Sequence, residues 1–95
     1  MMRVRYSPSA SHDLEGIYST IAANNQPAAL RVLSRIRAMI QLIAEHPGMG
    51  RASEIPDVQK LSVPGLPYKI IYEPDKLAGQ VVILRVYHAS RNVPY

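Results

Sequence analysis

The residues with the most chemical content fall in the last third of the chain: Lys60, Lys69, Arg85, His88, Arg91 and Tyr95. Among them are the groups that phosphodiester cleavage without a metal requires. A base would activate a 2′-hydroxyl, cations would stabilise the charge developing on the phosphoryl oxygens, and an acid would protonate the leaving oxygen. If the chain cuts RNA, the catalytic candidates are Lys60, Lys69, His88, Arg91 and Tyr95. If it binds a target without cutting, the cations suffice, and with one from an earlier loop the candidates are Arg51, Lys60, Lys69, Arg85 and Arg91. Antiparallel sheets also place lysines and arginines on a solvated face with no further role, so position must decide between these readings. No metal or cofactor is expected. There is no cysteine, the three histidines His12, His46 and His88 are dispersed, and no Gly-rich phosphate loop is present.

A strand must hold most of these groups. Val81-Val82-Ile83-Leu84-Arg85-Val86-Tyr87 has four β-branched residues, is too short for a confident helix, and reads as a central strand buried on both faces. Arg85 interrupts it, where a charge is costly unless paired or facing an open groove. Val58 to Val63 and Tyr68 to Tyr72 are two further strands, joined by the Pro64-Gly65-Leu66-Pro67 turn. Glu73-Pro74-Asp75-Lys76 and Gly79 then lead into the last strand, Gln80 to Tyr87. Alternation sets Lys60 and Ser62 opposite Leu61 and Val63, Lys69 opposite Tyr68 and Ile70, and Arg85 opposite Leu84 and Val86. With helices on the apolar side, Lys60, Lys69 and Arg85 should converge on the open face.

The first half supplies those helices. Arg3-Val4-Arg5-Tyr6 alternates as an edge strand would, Ser7 is suited to cap a helix, and Pro8 fits its first position. Ala10, Leu14, Ile17, Tyr18, Ile21 and Ala22 recur at helical spacing as far as Ala23, with Asp13 and Glu15 near the favourable end of the dipole. Asn24-Asn25-Gln26 breaks this helix. From Pro27 a second one carries the stripe Ala29, Val32, Leu33, Ile36, Ile40 and Ile43, with Arg31, Arg35 and Arg37 on its polar side, and stops at His46-Pro47-Gly48. Gly48 to Ser53 reads as a loop in which Arg51 could bind phosphate or carboxylate, or pair with Glu45 or Glu54. The order is β-α-α-β-β-β: an α+β fold with an N-terminal strand, an antiparallel helical hairpin and a three-stranded antiparallel meander.

Ninety-five residues suit a single domain spanning 1–95, and 47% apolar with 19% charged residues is a folding composition. Net charge is +4 and no Asp or Glu follows Asp75, which suits an anionic partner. No apolar run approaches the roughly 20 residues that span a bilayer, and no signal-peptide core follows Met1, so a cytoplasmic location without membrane contact is expected.

Taken in order, the segments resemble the RelE/ParE superfamily of bacterial type II toxins. The resemblance rests on the opening Arg-Val-Arg-Tyr-Ser-Pro, on Asp13-Leu14-Glu15-Gly16-Ile17, and on Glu45-His46-Pro47-Gly48-Met49-Gly50-Arg51. It continues through Pro67-Tyr68-Lys69-Ile70-Ile71-Tyr72 and Val82-Ile83-Leu84-Arg85-Val86-Tyr87-His88. It implies a toxin neutralised in a hetero-oligomer by a cognate antitoxin, which would also make any contact to promoter DNA. RelE-like members cleave messenger RNA on the ribosome and ParE-like members poison DNA gyrase. Lys60 matches the first of two strand lysines of the RelE-like pattern, but Ser62 stands at the second, Lys69 stands for an arginine and Ala89 for another, with Arg91 nearby; Tyr95 matches a C-terminal tyrosine. The hairpin running into His46-Pro47-Gly48-Met49-Gly50-Arg51 is more similar to ParE-like members. A gyrase inhibitor is therefore the first expectation, a ribosome-dependent endoribonuclease the second, and an inactive antitoxin-binding module the third.

Overall fold

A computed structural model describes residues 1–95. Strand β1 (Arg3–Tyr6) ends where Ser7 takes an extended conformation and caps helix α1 (Pro8–Ala22), its Oγ accepting the Ala10 N–H at 3.0 Å. Asn25 caps helix α2 (Gln26–Glu45) in the same way through Ala28. Pro27 lies in the first turn of α2, where a missing N–H costs nothing. A 3-10 turn at Pro47–Met49 leads to β2 (Arg51–Ala52), and β3 (Gln59–Ser62), β4 (Tyr68–Asp75) and β5 (Gln80–His88) follow. No helix is long and apolar enough to cross a membrane.

The five strands form one sheet in the order β1-β5-β4-β3-β2, with β1 parallel to β5 and the other neighbours antiparallel. The expected meander is β3-β4-β5. The strand read as central, β5, is interior but lies between β1 and β4, and β4 holds the middle of the sheet. Strand β2 was not expected, since two residues offer no alternation to read. Strand β4 runs on through Pro74, which is tolerated because β3 has ended opposite Tyr72 and leaves that flank of β4 unpaired.

The helices cover one face of the sheet. Leu14, Leu33, Ile36, Ile40 and Ile43 pack there against Ile70, Tyr72, Val81, Ile83 and Val86. The mixed parity on β5 comes from a bulge: Ile71 pairs with Arg85 but Tyr72 pairs with Ile83, which leaves Leu84 as an extra residue. Leu84 consequently packs on the far face with Val58, Ile71 and Tyr87, beside Arg85 rather than opposite it. That far face is also less open than alternation alone implies. The chain's own tail returns across it, and Val93 and Tyr95 cover the Val58, Ile71 and Tyr87 cluster.

Beyond Ile83, β5 has no strand on its outer edge, and α1 takes over. Ser7 N–H donates to the Ile83 carbonyl at 2.9 Å, Ser7 Oγ donates to the Leu84 carbonyl at 2.8 Å, and Asp13 Oδ2 accepts the Val86 N–H at 3.0 Å. The first turns of α1 thus satisfy edge groups that β1 leaves behind.

Candidate functional site

Register builds the site. Arg51 pairs with Lys60, Lys60 with Ile71 and Ile71 with Arg85, so these four residues form one row across β2, β3, β4 and β5 on the face away from the helices. At the usual strand spacing the row is about 15 Å long. Lys69 occupies the neighbouring row between Ser62 and Tyr87. Lys60, Lys69 and Arg85 therefore spring from one face of the sheet.

Their side chains are not equivalent. Arg85 reaches round the edge of β5 to Asp13, with Nε 2.7 Å from Oδ2 and its other nitrogen 3.1 Å from Oδ1. With side-chain exposures of 25% and 8%, this is a partly buried, two-pronged pair. The hydrogen bond it donates to Asp13 is the main reason the Arg85 guanidinium holds its proton more tightly than usual. It is also the one ion pair of the chain within 4.0 Å. Arg51 accordingly pairs with neither Glu45 nor Glu54, and Lys69 has no carboxylate partner. Lys60 Nζ donates to the Tyr95 carbonyl at 3.2 Å.

The position of Arg51 depends on Tyr72. This fully buried side chain donates from its hydroxyl to the Pro47 carbonyl at 2.8 Å, accepts the Gly50 N–H at 2.9 Å, and lies 2.9 Å from the Gln59 amide oxygen. A Cβ at Gly50 would stand 2.5 Å from that hydroxyl, so only glycine lets the loop approach so closely. Burial raises the Tyr72 phenol's pKa, an effect the Gly50 N–H partly offsets.

His88 belongs to the other side. Past the bulge, Arg85 and Tyr87 face away from the helices while Val86 and His88 alternate with them. The His88 ring stands edge-on to Tyr68 with centroids 5.5 Å apart, and its Nδ1 accepts the Ser90 N–H at 3.1 Å. His88 and Arg91 line a cleft against α1 that also includes His12. The five candidates for RNA cleavage are thus divided, with Lys60, Lys69 and Tyr95 on the far face and His88 and Arg91 beside α1. No group of three or more acidic or histidine side chains is placed to hold a metal ion.

A larger cleft of about 750 Å³ opens between the end of β1 and the two helices, lined by Tyr6, Leu14, Tyr18 and Leu33 with Glu15 and Arg37 among its polar groups. Burial raises the pKa of the Tyr6 phenol against the opposing pull of Arg37. Asp13 escaped the sequence reading as a site residue, although its spacing gave a signal. It follows Ala10 by three positions and precedes Ile17 by four, which places a carboxylate on the buried side of α1.

Two solved structures share this architecture. The isolated E. coli RelE toxin superposes with a TM-score of 0.73 at 16% identity, covering 97% of this chain and 88% of that one. A chain of the chromosomal ParDE TA system from P. aeruginosa superposes with a TM-score of 0.80 at 25% identity, covering 95% and 98%. Strand, helical hairpin and meander in this order place the chain in the fold class of the RelE/ParE toxins. Within that class, the family model for the ParE toxin of the type II toxin-antitoxin system parDE matches residues 4–93, and the chain belongs to that family. It is also 33% identical over 92 residues to Y4kP of Sinorhizobium fredii (strain NBRC 101917 / NGR234), covering 97% of this chain and 93% of that protein.

Proposed function

We propose that the chain acts on DNA gyrase and is held inactive by a cognate antitoxin. The observation that carries the gyrase reading is the division of the candidate residues between two sides of the sheet. Cleavage would need an acid and a base within about 3 Å of the same reacting groups. Binding needs only a charged surface of the right shape, and Arg51, Lys60 and Lys69 supply one without carboxylate partners. The ParE family match over residues 4–93 supports the same choice.

The antitoxin contact is supported by the cleft between β1, α1 and α2. Tyr6, Leu14, Tyr18 and Leu33 suit the apolar stripe of an amphipathic segment, and Arg37 suits an acidic side chain on it. An acidic tail on the same partner would complement the basic row. The toxin would then work as part of a hetero-oligomer in which any contact to promoter DNA belongs to the antitoxin. Pulse-labelling after induction without the antitoxin tests the target in cells. DNA synthesis should fail within minutes while protein synthesis continues, whereas early failure of protein synthesis would point to ribosome-dependent messenger RNA cleavage instead.

A further inference from the structure

The cleft beside α1 is unused by this reading, and it is cationic. It measures about 350 Å³, with His88 and Arg91 on one wall and His12, Gly16 and Thr20 of α1 on the other. Asp13 also borders it, but both carboxylate oxygens are engaged, Oδ1 by Arg85 and Oδ2 by Arg85 and the Val86 N–H. Neither Arg91 nor either histidine has a carboxylate within 4.0 Å. The net charge presented to a ligand is therefore positive.

The donors are also prearranged. The Ser90 N–H and the Ser90 hydroxyl both reach His88 Nδ1, at 3.1 and 2.7 Å, which leaves Nε2 as the ring nitrogen without a partner in the chain. The Tyr68 ring against His88 further holds the imidazole in place. Gly16 in mid-helix costs about 1 kcal/mol relative to alanine. Here it leaves the wall of α1 without a side chain, and a Cβ at this position would meet nothing within 4 Å.

We propose that this cleft is a phosphate-binding site that takes the phosphate group of a nucleotide or of a nucleic-acid strand. His12, His88 and Arg91 donate from two walls, which suits a tetrahedral oxyanion with several acceptor oxygens better than a planar carboxylate. Tyr68 adds an aromatic surface that a base can use. The site does not depend on the gyrase reading, because binding is measured without any target.

The test is calorimetric titration of the full chain with inorganic phosphate, a nucleoside monophosphate, a short single-stranded oligonucleotide and an acidic peptide. At least one phosphate probe should bind saturably. Arg91→Ala should weaken it about tenfold, the effect of one charge-assisted hydrogen bond, and His12→Ala should weaken it severalfold. Lys76→Ala, in an exposed turn, should change it less than about twofold by general charge loss alone. Circular dichroism on each variant separates lost binding from lost folding. Tighter binding of the monophosphate assigns a free nucleotide, and tighter binding of the oligonucleotide assigns a strand. Absence of saturable phosphate binding, equal loss in Lys76→Ala, or preference for the acidic peptide would overturn the proposal.

Discussion

Two side chains tie the site to the fold. Asp13 accepts three hydrogen bonds, two from Arg85 and one from the Val86 N–H, and so clamps α1 to the unpaired half of β5. Asp13→Asn should cost about 2–4 kcal/mol, because it leaves a partly buried guanidinium without its counter-charge. Urea denaturation should show the midpoint falling at constant slope, and Arg85→Met added to Asp13→Asn should cost much less than it does alone. Tyr72 plays the matching part for the loop that carries Arg51. Tyr72→Phe strands the Gly50 N–H and the Pro47 carbonyl, at an expected cost of about 1–3 kcal/mol in the same experiment. The buried phenols also set an alkaline limit. Burial raises the pKa of Tyr72 and Tyr87 above the ordinary value of 10.0, so the folded state holds these protons more tightly than the unfolded chain. Their contribution is fully present below pH 10 and is lost as pH rises through the folded values. A thermal midpoint that stays level or rises on going above pH 10 would contradict this.

The elements were legible where a local signal sufficed. Ser7 and Pro8 marked the start of α1, and His46-Pro47-Gly48 marked the end of α2, because capping and proline geometry are properties of neighbouring residues. Three features were not legible for the opposite reason. Strand β2 exists only through its pairing with Gln59 and Lys60. The bulge at Leu84 depends on how β4 and β5 align, and it turns Leu84 to the same side as Arg85. The return of the tail depends on an apolar seat formed by three separate segments at Val58, Ile71 and Tyr87. Of the candidate site, alternation was enough to group Lys60, Lys69 and Arg85 on one face, but not to show that Asp13 engages the Arg85 guanidinium or that His88 turns toward α1. The tail itself is open to test. Replacing Val93 with Ser and Tyr95 with Ala should cost about 1–2 kcal/mol by removing apolar cover. The same change should speed acylation of Lys60, whose ammonium now donates to the Tyr95 carbonyl. Unchanged stability and unchanged reactivity would mean that the tail contributes nothing to that face.

At the scale of the whole molecule, two surfaces are built from largely different elements. The cleft proposed for an antitoxin segment is made by β1, α1 and α2, whereas Arg51, Lys60 and Lys69, none paired with a carboxylate side chain, lie on β2, β3 and β4. Substitutions in one should therefore spare the other. The triple variant Arg51→Ala, Lys60→Ala, Lys69→Ala should lose inhibition of the target by about tenfold, given roughly half a kcal/mol per exposed charge, while still binding the antitoxin. Arg37→Glu, at an exposed position on the rim of the cleft, should do the reverse, and pull-down with the purified antitoxin separates the two effects. The most direct measurement is supercoiling of relaxed plasmid by purified gyrase in the presence of this chain. Loss of supercoiling or gyrase-dependent DNA breaks, reversed by the antitoxin and absent in the triple variant, is the predicted result; full gyrase activity alongside cleavage of messenger RNA on ribosomes would contradict it.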